Sequence, residues 1–141
     1  MKRISIFISI FFAGIFALNA QEITESLEII ESSVKDSTYY NFTISGDGYL
    51  SYNWGTDDDN LTVITVDLAG VTISKDFSIS KPKLWINCID GNTCINEEGR
   101  IGAADGMYFN YSRTYLPCKS EDDLNAMFLQ MQYLIRYSTG Q

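Results

Sequence analysis

The stretch Trp85 to Asn96, WINCIDGNTCIN, places Cys88 and Cys94 on either side of a short polar turn. Two chemistries suit a close cysteine pair. A redox-active pair sits two residues apart at a helix start, where the dipole lowers one thiol pKa, and five intervening residues in a turn do not offer that. A structural bridge needs only close approach. With Asp90-Gly91-Asn92 as a three-residue hairpin loop, Ile89 pairs with Thr93 and Cys88 faces Cys94. Opposed strand residues have Cα atoms about 4.5 to 5.5 Å apart, within disulfide reach. The spacing therefore predicts a Cys88–Cys94 disulfide. Cys118, beside Pro117, has three fates: pairing with Cys94 instead, burial as a small apolar residue, or a link between two chains. Three cysteines in a chain without histidine fall short of the usual structural zinc set.

The lack of histidine also removes Ser-His-Asp triads, Cys-His nucleophile pairs and His-ligated catalytic metals. What remains for an enzyme is carboxylate chemistry, with a pair acting as acid and base as in glycosidases. Asp57, Asp58, Asp59, Glu97, Glu98 and Asp105 are available, but they stand in stretches that read as solvated loops. Within DDDN, Asp57, Asp59 and Asn60 are the calcium candidates; the segment lacks the spaced ligands and distal glutamate of an EF-hand loop, which favours a solvated turn. No cofactor is expected. Asn41, Asn60 and Asn110 each begin an N-glycosylation acceptor pattern, meaningful only in a host that glycosylates exported proteins.

Aromatic side chains are the remaining candidates. Tyr39, Tyr49, Trp85, Tyr108 and Tyr115 fall on the outward side of their expected strands, where such rings bind sugar faces or peptide partners. Trp85 stands between Leu84 and Ile86, which point the other way. The competing reading packs Trp85 under an amino-terminal helix.

The elements that position these residues follow from periodicity. Residues 1–20, MKRISIFISIFFAGIFALNA, read as a signal peptide, with a basic start, a short apolar middle and a small-residue exit before Gln21. Residues 21–141 then form a single globular domain, secreted or periplasmic, with no transmembrane span after cleavage. The formal net charge is −8, and two of the ten basic residues, Lys2 and Arg3, belong to the signal. Such a field repels polyanions and no basic run interrupts it, so neither nucleic acid nor an anionic membrane surface is an expected partner. A protein or glycan is.

Ile23, Leu27, Ile30 and Val34 recur at helical spacing and predict a short amphipathic helix over Glu22 to Val34. The period then changes to two. Tyr40, Phe42 and Ile44, the turn SGDG, and Leu50, Tyr52 and Trp54 predict a hairpin with one apolar face. Leu61 to Leu68 is apolar on both faces and reads as a central strand. Shorter runs follow at Val71 to Ser74 and Phe77 to Ser80, then the cysteine hairpin from Lys83 to Asn96, then one strand from Met107 to Leu116. Ser120 with an acidic first turn, a stripe through Leu124, Met127, Phe128, Met131, Leu134 and Ile135, and Gly140 predict a helix over Glu121 to Tyr137.

The fold class is therefore α+β, an antiparallel six- or seven-stranded curled sheet or half-open barrel with a short amino-terminal and a long carboxyl-terminal helix packed on it. That element order, with the Cys88 to Cys94 turn preceding a closing helix through Leu124 and Ile135, resembles small exported bacterial proteins of unknown function with a pleckstrin-homology-like barrel. The resemblance covers most of residues 38 to 137. Phosphoinositide binding does not come with it, because the first hairpin turn is Ser45-Gly46-Asp47-Gly48 where lipid-binding members carry basic residues. The closing helix also lacks the tryptophan usual there. The functional expectation is an exported non-catalytic binding or interaction module; a carbohydrate- or small-lipid-binding domain is the alternative, and a carboxylate-based hydrolase the third reading.

Overall fold

The computed structural model describes residues 20–56, 60–78, 81–99 and 107–140. The expected signal segment lies outside them apart from Ala20, as do Asp57, Asp58, Asp59 and Asp105. Residues 20–33 form α1. Its stripe is buried as the spacing predicts: Ile30 is fully covered, and Ile23 and Leu27 pack partly buried against the core. Glu22, Glu25, Glu28 and Glu31 stay in solvent. Buried Ser26 donates to Gln130 Oε1 at 2.7 Å, which satisfies both groups and ties the two helices together.

Among the described residues eight strands form two antiparallel sheets. The larger sheet contains β1 (Tyr39–Ile44), β2 (Tyr49–Gly55), β3 (Leu61–Asp67), β6 (Ile95–Gly99) and β7 (Met107–Tyr111) in the order β1-β2-β3-β6-β7. β3 is central, as its apolar run predicts. The smaller sheet contains β4 (Val71–Asp76), β5 (Lys83–Cys88) and β8 (Arg113–Pro117) in the order β4-β5-β8. Two sheets with eight strands thus replace the expected single curled sheet or half-open barrel of six or seven strands, and among the described residues there is no closed barrel.

Three local departures explain the difference. The run from Met107 to Leu116 breaks at Ser112, so that β7 joins the larger sheet and β8 the smaller. β4 runs on to Asp76; of the run expected from Phe77 to Ser80, Phe77 is exposed and outside any strand, and Ile79 and Ser80 lie outside the described residues. The cysteine hairpin does not exist as a hairpin, because β5 and β6 belong to different sheets. A 3-10 turn over Ile89–Gly91, with Asp90 at φ 57° and Gly91 at φ 69°, turns the chain out of the first sheet. Asp and Gly tolerate that left-handed conformation at little cost.

The disulfide forms all the same, between Cα atoms 5.6 Å apart. It spans the passage from one sheet to the other and has the two further passages packed against it. At the β3–β4 crossing, a 3-10 turn over Leu68–Gly70, Asp67 N–H donates to the Cys94 carbonyl at 3.1 Å. At the β7–β8 crossing, Cys88 N–H donates to the Ser112 carbonyl at 2.8 Å. Crossings end ladder pairing, and these bonds give the freed backbone groups new partners.

The long carboxyl-terminal helix α2 (Glu121–Thr139) closes the core. The Ser120 hydroxyl accepts from Asp123 N–H at 3.1 Å, three acidic residues fill the first turn, and Gly140 caps the end at φ 72°. Leu124, Met127, Met131 and Leu134 are fully buried and pack on β4, the Leu68–Gly70 turn and β5. Gly48, at φ 84°, brings the β1–β2 turn against α2; a Cβ there would stand 2.9 Å from Ser138 Cβ. An isolated bridge from Val34 to Cys118 joins the end of α1 to the end of β8. Among the described residues no helix is long and apolar enough to cross a membrane.

Replacing both bridging cysteines, C88S/C94S, releases a short loop and is expected to lower stability in urea denaturation by about 2 kcal/mol. A loss below about 0.5 kcal/mol, the weight of one ordinary hydrogen bond, would mean that the hydrogen bonds alone hold the corner.

Candidate functional site

Strand alternation decides which side chains leave the core. In the smaller sheet Leu84, Ile86 and Leu116 face inward and are fully buried. The residues between them face out, and the register aligns Ser74, Trp85 and Tyr115 across the three strands, with Asp76, Lys83 and Pro117 in the next row. Trp85 and Tyr115 meet edge to face, with centroids 5.1 Å apart. The Arg113 guanidinium lies 3.7 Å from the Trp85 ring centre, and the Lys83 ammonium lies 5.1 Å from Trp85 and 5.0 Å from Tyr115. Cations over aromatic rings gain about 0.5 to 2 kcal/mol each, so one indole gathers two positive charges on a rigid strand.

Asp76 completes the arrangement. Its Oδ2 accepts from Trp85 Nε1 at 3.2 Å and its Oδ1 from Ser78 N–H at 2.9 Å. The backbone bond from Ser78, then the indole, hold its carboxyl below the usual range. Trp85 is therefore covered by Tyr115 and the cations, not by α1, which lies against α2 through Ser26–Gln130 and Glu22–Tyr133.

An open groove of about 360 Å³ adjoins this face. Its walls are Tyr39, Trp54, Tyr115 and Pro117; Lys35, Asp36, Lys81 and Lys83 stand around it. Tyr39 is not on the outward side, as alternation alone suggests. A bulge sets Asn41 and Phe42 opposite Tyr52, with Asn41 at φ 58°, and reverses the parity of β1 before it. Tyr39 is thereby aligned with Trp54, 6.3 Å from its ring and 6.3 Å from that of Tyr52. Trp54, expected on the buried face, is 47% exposed at the open end of β2. The sequence has no basic run, yet the fold brings basic residues together. Lys35, Lys81, Lys83 and Arg113, of the ten basic residues in the chain, are scattered in sequence and gathered by the fold.

The other candidates lie elsewhere. Tyr49 is exposed at the start of β2, beside Asp67 in the register. Tyr108 is exposed on β7 and donates to Glu98 Oε1 at 3.3 Å. Of the calcium candidates, Asp57 and Asp59 are outside the described residues and Asn60 is exposed beside them. Glu97 and Glu98 are not in a loop but adjacent in β6, so their side chains leave on opposite faces. Cys118 is buried against Met127 Sδ at 3.8 Å, and burial pushes its thiol up to about 11. Of its three fates the structure shows the small buried residue, chemically quiet.

Behind the groove a polar strain sits in the core. Tyr52 is fully buried, stacks on Phe42 at 4.9 Å, and its hydroxyl lacks a hydrogen-bond partner among the described residues. Burial, then Tyr39, push that hydroxyl well above its usual range; Thr114 stands near enough to soften the shift without forming a proper hydrogen bond. Burial likewise raises Glu97 and, ahead of Tyr115 and Asp36, raises Tyr39.

Comparison of the chain with protein-family models, with curated proteins and with solved structures finds no match.

Tyr52→Phe removes an orphaned hydroxyl at constant shape and is expected to raise stability by about 1 kcal/mol in urea denaturation; a loss of that size would show that the hydroxyl is satisfied. Glu97 is raised in the folded state, so its neutral form stabilises the fold at low pH and that contribution disappears as pH rises through the folded-state pKa. Glu97→Gln is thus expected to differ little from the parent near pH 3 and to become the more stable of the two above the ordinary glutamate value of about 4.3. A stability difference independent of pH would contradict this.

Proposed function

We propose that the protein is an exported, non-catalytic binding module that engages its partner through the outer face of the smaller sheet and the adjoining groove. The observation that carries this reading is the convergence of Trp85, Tyr115, Lys83 and Arg113 on one solvent-facing surface. Trp, Tyr and Arg are the residue types that dominate binding energy at interfaces, because they desolvate large areas while keeping polar edges. Strands hold these side chains in register, which lowers the ordering cost of association. Export is supported by the signal-like residues 1–20 and by a disulfide of the kind that persists in oxidising compartments. The two-sheet body closed by a terminal helix suits the pleckstrin-homology-like layout.

Carbohydrate binding is the second reading, favoured by the exposed rings of Trp54 and Tyr115 at the groove. A lipid site is less well supported, since the groove is open and surrounded by lysines. Hydrolysis by paired carboxylates is disfavoured by Glu97 and Glu98 diverging across β6.

The test is affinity capture from the native envelope with the tagged protein and with a W85A/Y115A variant of unchanged circular dichroism. The parent is expected to recover a reproducible partner and the variant to lose it by about 30-fold, the loss of roughly 2 kcal/mol that marks an interface anchor. Equal recovery by both proteins, or none by the parent, would count against the reading.

A further inference from the structure

The cations of this face are arranged for something beyond solubility. The chain is acidic, with a net charge of −8, yet it concentrates positive charge here. Asp76, which holds Trp85 Nε1 and Ser78 N–H, and Asp36, whose Oδ1 accepts from Thr38 N–H at 3.1 Å, stand at the same face and offset only part of the charge of Lys35, Lys81, Lys83 and Arg113. Arg113, stacked on the indole, uses its ring-facing side for that contact. Guanidinium N–H donors lie in the plane of the group, so stacking leaves its edge able to take an anionic group in bidentate fashion. At contact range these charges outweigh the acidic remainder, which is screened beyond about 10 Å at ordinary ionic strength. The occupant that complements this surface is anionic.

Two features separate a glycan from an acidic peptide. Peptides commonly bind beside a sheet by adding a strand to a free edge. At the Pro117 end of β8, beside the groove, that edge is taken: Val34 bridges Cys118, and Lys35 N–H donates to the Pro117 carbonyl at 2.8 Å. The groove offers instead the exposed rings of Trp54 and Tyr115, flat apolar faces of the kind that pack against sugar rings, next to Lys83. A sugar ring bearing a carboxylate uses both parts at once.

Resting on the reading of this surface as the binding face, we infer that its ligand is an acidic glycan. Uronic-acid rings lie against Trp54 and Tyr115, and their carboxylates pair with Lys83 and Arg113. The test is calorimetric titration of the purified protein with polygalacturonate, with its methyl-esterified form and with poly-L-glutamate. Polygalacturonate is expected to bind, more weakly as salt rises; the ester keeps the rings without the charge, the peptide keeps the charge without the rings, and both bind at least about ten-fold more weakly, the equivalent of one lost charged contact. Lys83→Gln and Arg113→Gln each lower affinity about ten-fold. Because Arg113→Gln also uncovers Trp85, Lys35→Gln, away from that stack, serves as a further variant with the same expected direction.

Four results would overturn the inference: no binding of polygalacturonate, equal binding of the ester, equal binding of poly-L-glutamate, or variants that bind like the parent. If any of these occurs while a partner is still captured through Trp85 and Tyr115, the acidic-glycan assignment falls and the binding face stands. If capture fails as well, both fall.

Discussion

Among the described residues the chain passes three times from one sheet to the other, and every one of these passages is made against the Cys88–Cys94 bond. A crossing ends ladder pairing, and a buried backbone group left without a partner costs about as much as a lost hydrogen bond. The corner answers this with Asp67 N–H on the Cys94 carbonyl, Cys88 N–H on the Ser112 carbonyl and Leu68 N–H on the Gly48 carbonyl. Gly70 fits beside Cys94, where an added Cβ would lie at ordinary contact distance, 3.5 Å from the cysteine Cβ. The covalent link does more than close a small loop. It fixes the place where the two sheets meet, and the rest of the architecture is arranged around that place.

The proposed binding face inherits its geometry from the same corner. β5 ends at Cys88 and β8 begins at Arg113, one residue after the carbonyl that Cys88 holds. This sets the register that puts Trp85 beside Tyr115 and brings Arg113 across from Asn87, within reach of the indole. On the other side of the smaller sheet, Leu84, Ile86 and Leu116 are pinned under α2 and the core, so the strands are not at liberty to rotate their outward residues away. Rigid strands, a fixed register and stacked cations together give a preorganised surface, which reduces the entropy lost on association.

Much of this was legible in the sequence where one local rule acts alone. α2 follows from a capping serine, an acidic first turn, a helical stripe and a terminal glycine; β3 follows from an apolar run; the disulfide forms at the expected spacing although the hairpin that was to align it does not. The rules misled where two local solutions compete. The turn through Asp90 and Gly91 suits a hairpin and an exit from the sheet equally well, and only tertiary packing chooses. The break at Ser112 leaves no mark on the alternation of Met107 to Leu116. At Asn41 a single left-handed residue shifts β1 by one position and carries Tyr39 to the opposite face. The site was half visible for the same reason. Trp85 and Tyr115 stand out by alternation, but Lys35, Lys81, Lys83 and Arg113 have no common spacing and are joined only by the register of β5 with β8 and by the approach of residues 34–35 to the edge of β8.

The corner acts as one unit. Native-state hydrogen exchange, followed amide by amide in the parent and after reduction of the bridge, measures this directly. Breaking the Cys88–Cys94 bond is expected to speed exchange together at Asp67 and Leu68, in the β3–β4 crossing, and at Cys88, whose N–H holds the β7–β8 crossing. Faster exchange confined to the residues between the two cysteines would contradict it and leave the disulfide a local clasp.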